Sequence, residues 1–548
     1  MTAMLATAAI RPLRLACAPQ NNSKTQPKKN SDPMTLARGM NYAPKNLFMW
    51  DTWYMPIGDV VHAYHLQRLR PGATIPPENQ DMIGHAVSRN LIDWEECPPV
   101  LGPDPSNPID DLYAYTGCAL WHEGQGHLYY TMRNRTDGGR IQRMGLALSP
   151  DGYEWTRYPG NPVIVPDPKW YATVGDPIPG VLDCRDLVVA RDPAGAGWYG
   201  FYATRKPAAV QPRTAVIACV YSRDLIHWEH RAPAFAPDKY CTIEVPDVFQ
   251  LNGRWFMTCL TGNTYGNRGI FSDPNVTHGT IFAVADRPEG PYRELDDNVF
   301  LGARTGVPLS CRSVAFEGER YSLYTDWERD GLVDHGGYCL VGSLSTPKRL
   351  ASDGDRLYAA YSDRIERYVI QEIIAPDRKL PILDDGQIYL HNWEFNMPSA
   401  TWNVGETVTG QADAGWQILP FDAAADSFIF EATVRLETAV AAGLALRIEN
   451  PHAGAIVGLD QAAQSVFYGQ AQDFEFMESR QTPVKRDVPT RLKVVQRLEH
   501  VEIYVNDELR LAFCRYRGLG GRFGLFVDRG RAELSDIRLR QLQVKRPV

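Results

Sequence analysis

Three observations predict an all-β chain, a five-bladed β-propeller followed by a C-terminal β-sandwich. Short runs rich in Val, Ile, Tyr, Phe and Trp recur, among them Gly126 to Met132, Trp198 to Thr204, Val216 to Ser222, Trp255 to Leu260 and Tyr321 to Trp327. Each is bounded by Gly, Pro, Asn or Asp, as consecutive antiparallel strands are, and long helical periodicity is nearly absent. The second observation is a repeat. Ser88-Arg-Asn-Leu-Ile-Asp-Trp94-Glu95 returns as Ser222-Arg-Asp-Leu-Ile-His-Trp228-Glu229, with a looser copy in Ser149-Pro-Asp-Gly-Tyr-Glu-Trp155. The tryptophans are 61 and 73 residues apart, about one four-stranded blade with its loops. Each copy reads as a polar turn closing a hairpin at a blade's outer edge. Third, the repeat stops after about residue 390, where strict alternation takes over.

In chain order, residues 1–40 read as a disordered leader. Met1 to Ile10 is mildly apolar but is interrupted by Arg11 and Arg14, and Asn21 to Pro33 is polar and lysine-bearing. A signal peptide wants its charge first and a longer apolar run after it, so export stays open. Residues 41–375 hold five blades at the observed pitch. Residues 390–548 form the sandwich, in which Phe428, Phe430, Ala432, Val434 and Leu436 alternate with Ile429, Glu431, Thr433 and Arg435 as a half-buried strand. Val501 to Val505 and Leu509 to Phe513 flank Asn506-Asp507 as a two-residue hairpin. Lys485 to Val548 carries 15 basic and 8 acidic residues. That excess reads as a solvated sheet face, with contact to an acidic glycan or to the propeller as the alternatives.

Composition narrows the function. The 548 residues are 44% hydrophobic with a net charge of -8, the opposite sign to a phosphate-gripping surface, so nucleic acid is not an expected partner. No window approaches the roughly 20 apolar residues of a membrane-spanning helix, and no membrane partner is expected. Ten cysteines are spread singly with no C-x-x-C pair, so zinc-ribbon and dithiol motifs are absent. Several lie in apolar runs as small hydrophobes, which favours a reducing, cytoplasmic setting over secretion. Oligomeric state is not legible.

Acidic residues inside apolar, aromatic strands carry the chemical signal, because charged side chains are rarely buried unless paired or functional. Asp51 sits in Leu47-Phe-Met-Trp-Asp-Thr-Trp-Tyr-Met55, Asp186 in Val181-Leu-Asp-Cys-Arg-Asp-Leu-Val-Val189, and Glu244 in Cys241-Thr-Ile-Glu-Val-Pro-Asp-Val-Phe249. A propeller gathers such strands around one axis. Cleaving a glycosidic bond needs two carboxyl groups flanking it, one to attack or activate water and one to protonate the leaving oxygen. A third could hold sugar hydroxyls. An oligo- or polysaccharide is therefore the expected substrate, with no cofactor and no metal. His62 and His65, three apart on an apparent strand, face opposite sides and read as structural.

The sequence resembles glycoside hydrolase family 32, the invertases, inulinases and levanases. Ile83-Gly-His-Ala-Val-Ser-Arg-Asn-Leu-Ile-Asp-Trp94 is close to that family's W-G-H-A-x-S-x-D-L-x-x-W segment. Tyr115-Thr-Gly-Cys-Ala119 resembles its F-S-G-S-A loop, and Trp155 with Asn161-Pro-Val-Ile164 its W-x-K-x-x-x-N-P-V-I stretch. Arg185-Asp186 resembles its R-D-P, and Glu244-Val-Pro-Asp-Val-Phe249 its E-C-P-D-x-F. The resemblance implies a retaining hydrolase of β-fructofuranosides or related furanosides, able in principle to transfer the glycosyl group. Asp51 would be the nucleophile, Glu244 the general acid/base and Asp186 the transition-state stabiliser, with Trp50, Gln67, Thr116 and Arg185 against the substrate.

The departures bear on the sugar. The family's W-M-N-D-P-N-G is Phe48-Met-Trp-Asp-Thr-Trp-Tyr54 here, so Trp50 replaces an asparagine, and Ile83 replaces a pocket tryptophan. An indole offers a donor only and cannot copy an amide's grip on a hydroxyl. Two other readings stay open from sequence alone: an inverting arabinofuranosidase or xylosidase of the related propeller family 43, and a non-catalytic glycan-binding propeller.

Overall fold

The computed structural model of the chain describes residues 41–543 apart from 76–81, 178–179, 196, 208–212, 305–307, 330, 332, 334–341, 384–388, 391–399, 451–452, 471–475 and 516–520. The expected leader, residues 1–40, lies outside the described residues. Five antiparallel meanders of four strands follow one another. They are β1 (Leu47–Ile57), β2 (Val60–Leu69), β3 (Ile83–Ser88) and β4 (Glu95–Leu101); β5 (Tyr113–His122), β6 (Gln125–Arg133), β7 (Arg143–Ser149) and β8 (Thr156–Arg157); β9 (Arg185–Arg191), β10 (Trp198–Arg205), β11 (Ala215–Ser222) and β12 (Glu229–Phe235); β13 (Glu244–Leu251), β14 (Arg254–Gly262), β15 (His278–Ala285) and β16 (Val299–Ala303); and β17 (Pro308–Phe316), β18 (Glu319–Asp326), β19 (Lys348–Asp353) and β20 (Arg356–Ala360). Four stand alone as sheets, while the fifth runs on into the C-terminal sheet system, β20 meeting it at Ala360 and Glu508.

The first strand of each meander faces the next, β1 to β5 to β9 to β13 to β17, and β17 returns to β1. That is the closed ring of a propeller, with no exposed inner edge. The residues before and within β1 fasten the ring, since Tyr42 and Leu344 exchange two backbone hydrogen bonds and so do Met49 and Gly342. Apolar clusters fill the wedges between neighbouring sheets, as where Trp53, Tyr64, Ile83, Leu128 and Tyr130 join the first to the second.

The repeated turns sit where the repeat predicts, between the third and fourth strands of three sheets. Ser88 Oγ accepts the Leu91 N–H at 2.9 Å, Ser222 Oγ that of Leu225 at 2.9 Å, and Ser149 Oγ that of Gly152 at 2.7 Å. Asn90, Asp224 and Asp151 each receive two further N–H groups through one side-chain oxygen. The third residue on from each serine has a left-handed backbone, φ 65° at Leu91, 64° at Leu225 and 83° at Gly152. The loosest copy thus places glycine where a side chain is least tolerated.

Strand pairing carries the chain into the second sheet system earlier than expected. Val369–Ile374 already pairs with the final strand, Arg522–Leu542. That 21-residue strand pairs through Phe523–Asp528 with strands Val408–Phe421 and Ala441–Asn450, and through Ala532–Gln541 with Phe428–Leu436. Irregular register along the way lets one strand serve both layers. Phe428, Phe430, Leu444, Val494, Leu525 and Leu534 fill the space between the layers. Asn506 and Asp507, at φ 51° and 62°, close the expected hairpin, Val505 pairing with Glu508.

The structure corrects the expected half-buried character of Phe428–Leu436. Ile429 and Glu431 are as buried as the core face, because that side packs on the propeller. Ile429, Val495 and Tyr504 share a cluster with Phe249, Tyr324 and Leu350. Part of the basic excess turns the same way, Arg497, Lys493 and Arg540 being buried, while Lys485, Arg486, Arg491, Arg529 and Arg531 stay exposed. Glu502 is the hub. It accepts from Lys348 Nζ at 2.8 Å and Tyr324 Oη at 2.8 Å on the propeller side, and from Arg497 Nη2 at 2.9 Å and Tyr504 Oη at 2.6 Å on the other. Burial opposes its charge, but the two cations hold its carboxyl well below the usual range. Removing one member of such a buried group strands the others. Glu502→Gln should therefore cost about 3–5 kcal/mol and split one calorimetric unfolding transition into two. An unchanged single transition would show that apolar packing alone joins the two parts.

Candidate active site

Each inner strand breaks register at one depth, and the predicted residues stand at those breaks. Asp51 is the extra residue between Trp50 and Thr52 in β1, and Thr116 the one between Tyr115 and Gly117 in β5. In β9, Asp186 and Leu187 oppose a single residue of β10; in β13, Val245 and Pro246 oppose one of β14; in β17, Ser310 is extra between Leu309 and Cys311. A bulge bends the strand and re-aims a side chain that regular pleating would send into a wedge. Asp51, Asp186 and Val245 have φ of 44°, 62° and 48°, unusual for residues with a Cβ and most of all for β-branched valine. Pro246 sits where the ladder needs no N–H.

These bulges bring the three carboxylates together. Thr116 Oγ1 donates to Asp51 Oδ2 at 2.6 Å. Asp186 Oδ2 accepts the Val245 N–H at 2.9 Å, so the Glu244-Val245 bulge is tied to Asp186. Arg185 bridges two acids, its Nη2 3.1 Å from Glu244 Oε2 and its Nε 3.3 Å from Asp186 Oδ2. It is itself held by Asp183, which also pairs with Arg205. Burial works against Arg185's charge, yet Asp183, Glu244 and Asp186 more than offset it and raise its pKa.

Desolvation dominates the electrostatics. Burial pushes Asp51 up to about 6, the charge of Glu244 adds to this, and the Thr116 hydroxyl and Arg312 pull back. Asp186 is also raised, chiefly by burial, with Arg185 opposing and Glu244 and Asp51 reinforcing. Asp51 and Asp186 thus both resist ionising beside a third carboxyl group, Glu244. Trp50 packs with Leu260, Tyr265 and Trp327 into an apolar patch, and the Tyr265 hydroxyl hydrogen-bonds Glu244.

Of the seven predicted residues, six meet here. Gln67 does not. Opposite Met49 in β2, it lines a separate cavity of about 280 Å³ with His65, His85 and Cys97. His62 and His65 are buried, His62 Nδ1 lying 3.0 Å from His85 Nε2, in keeping with structural roles.

The chain is similar to known proteins in sequence and in fold. The profile of the glycosyl hydrolases family 32 N-terminal domain matches residues 76–282. A levanase of Bacillus sp. (strain L7) is 29% identical over 295 residues, 49% of this chain and 29% of that protein. A sucrose-6-phosphate hydrolase of Zymomonas mobilis is 22% identical over 444 residues, 78% of this chain and 76% of that one. The chain is thus similar to glycoside hydrolase family 32 over residues 76–282. It spans 29% and 25% of the length of the Bacillus sp. and Bacillus subtilis levanases. Among solved structures, sucrose-6-phosphate hydrolase from Lactobacillus gasseri superposes with a TM-score of 0.65 at 15% identity, covering 94% of this chain and 97% of that one. Fructan 1-exohydrolase IIa from Cichorium intybus, in complex with 1-kestose, gives 0.64 at 15%, covering 93% and 98%. These share the fold.

Sequence reasoning missed Arg312, Asp183, Asp247, Thr131 and Tyr265. Arg312 Nη2 donates to the Asp186 carbonyl at 3.1 Å, Asp247 Oδ2 accepts the Ser313 N–H at 2.8 Å, and Thr131 Oγ1 accepts that of Asp186 at 3.1 Å. Arg312 and Asp247 carried the signal that singled out the three acids, a charge within an apolar strand. Tyr265 lies on a short 3-10 turn, Asn263–Tyr265, and left no such mark.

The Thr116 bond favours ionised Asp51, so removing it raises that pKa further. Activity that needs the carboxylate is present above the pKa and lost as pH falls through it. The acid limb of kcat/KM should lie near pH 6 and move up by about one unit in Thr116→Val. A pH–rate profile unmoved by the substitution would exclude Asp51 as the group that must ionise.

Proposed function

We propose that the chain is a glycoside hydrolase acting on β-fructofuranosides or related furanosides by a retaining double displacement. The observation that carries this reading is the convergence of Asp51, Asp186 and Glu244 on one axis, with Arg185 bridging Asp186 and Glu244. Asp51, its carboxylate oriented by Thr116, attacks the anomeric carbon. Glu244 protonates the departing oxygen and then, as a base, activates water to release the sugar. Asp186, fixed by Val245 and Arg185, accepts hydroxyl hydrogen bonds that strengthen in the transition state. The levanase and sucrose-6-phosphate hydrolase relatives make fructosides the first substrates to try. The same site serves transfer wherever a sugar hydroxyl replaces water.

Trp50 argues for an altered substrate contact. It joins the apolar patch of Leu260, Tyr265 and Trp327, a surface that stacks on a sugar's C–H face instead of gripping a hydroxyl.

An NMR time course on purified protein with sucrose, inulin and aryl furanosides tests this by the anomeric configuration of the first product. Retained configuration is expected. Asp51→Asn should lose about 10³-fold or more. Glu244→Gln should lose about 10²–10⁴-fold on sucrose, and on aryl furanosides, whose leaving group needs no proton, it should keep the first step but stall at the second, which lacks its base. Inverted product would assign Asp51 to activating water. Binding without turnover of any furanoside would leave a glycan-binding propeller.

A further inference from the structure

Outside the carboxylate funnel, propeller and sandwich meet at a second cluster of chemically capable side chains. Asp326 ends β18, His500 opens strand His500–Val505, and Cys514 closes strand Glu508–Cys514 directly opposite it. Among the described residues they form a group whose candidate ligand atoms all lie within 4.8 Å of one another. His500 Nδ1 is 2.9 Å from Asp326 Oδ2 and 3.4 Å from Cys514 Sγ. All three are buried, none more than 6% exposed.

Two further features distinguish this group from an ordinary buried ion pair. Asp326 Oδ1 is buried without a hydrogen-bond partner, although a carboxylate oxygen removed from water normally has one. The other ring nitrogen, His500 Nε2, lies 3.3 Å from Glu499 Oε1 and 3.3 Å from Ser343 Oγ. A carboxylate behind the distal nitrogen fixes the ring with Nδ1 forward, as second partners of metal-bound histidines do.

We propose that Asp326, His500 and Cys514 form a structural zinc site that clamps the propeller to the sandwich. Thiolate, imidazole and carboxylate together suit Zn²⁺ better than the harder divalent ions, and Asp326 Oδ1 supplies a fourth donor when the carboxylate binds through both oxygens. Ligand atoms on a tetrahedral zinc lie about 3.2–3.8 Å apart, given bonds of about 2.0–2.3 Å. The Nδ1–Sγ distance already fits, and the Nδ1–Oδ2 distance opens by a few tenths of an ångström. Loading the ion breaks the Nδ1–H and S–H bonds, forms bonds from zinc to Nδ1, Sγ and the carboxylate, and releases two protons. No electron moves. The site stands independently of the hydrolase reading.

The test is metal content. The full chain, expressed in zinc-supplemented medium and passed over chelating resin, should hold about one zinc per chain by inductively coupled plasma mass spectrometry. Cys514→Ser and Asp326→Asn should lose it, while Cys97→Ser, on β4, should keep it. Circular dichroism and furanoside turnover report whether each variant folds. Cobalt-loaded unaltered protein gives a second readout, a thiolate-to-cobalt charge-transfer band in the near ultraviolet, and decides the matter where a variant does not fold. A chain that emerges zinc-free, zinc content unaffected by Cys514→Ser in folded protein, or cobalt protein without the thiolate band would each overturn the site.

Discussion

Everything at the funnel depends on a register break repeated in the inner strand of each sheet. A regular strand alternates its side chains between two faces, and in a propeller both faces are wedges packed against neighbouring sheets. No side chain on such a strand reaches the axis unless the alternation is interrupted. Here the interruption falls at Asp51, Thr116, Asp186, Val245 and Ser310, and three of these have left-handed backbones. Such conformations cost about 1–3 kcal/mol each, and the ring holds them through bonds that cross between sheets. Thr116 reaches Asp51, Val245 reaches Asp186, Arg312 reaches the Asp186 carbonyl, and Asp247 receives Ser313. The acids are therefore placed by neighbouring sheets more than by their own.

The second sheet system completes that constraint from outside. The first four sheets stand alone, whereas the fifth is continuous with the sandwich. Glu502 gathers Lys348 and Tyr324 of the fifth sheet with Arg497 and Tyr504 of the sandwich. A few residues along, His500 takes up Asp326 at the end of β18, the strand paired with β17. The sandwich thus bears on the sheet that closes the ring against β1, and hence on the setting of Asp51.

Much of this was legible in the sequence. The Ser-x-Asn/Asp-x-x-x-Trp copies located three outer turns because the serine and Asn or Asp side chains cap the turn themselves, so the information is local. Asp51, Asp186 and Glu244 stood out because a charge in an apolar strand has few structural uses. What escaped was fixed by contacts across long stretches of chain. Gln67 was set against the substrate by the family resemblance alone, yet pairing opposite Met49 turns it toward His65 and His85. The basic excess after Lys485 has the composition of a solvated face, and only the docked propeller reveals why Lys493 and Arg497 are buried. Asp326 and His500 lie 174 residues apart, so no spacing rule could join them.

Asp51, lifted out of register, is the proposed nucleophile. Mass spectrometry of a trapped intermediate tests this most directly. Glu244→Gln incubated with an activated furanosyl substrate, then quenched in acid and digested, leaves the second step without its base. One glycosyl unit covalently attached to the peptide carrying Asp51 is expected, and none when Asp51→Asn is added. Turnover with no adduct, or an adduct on any other residue, would contradict it.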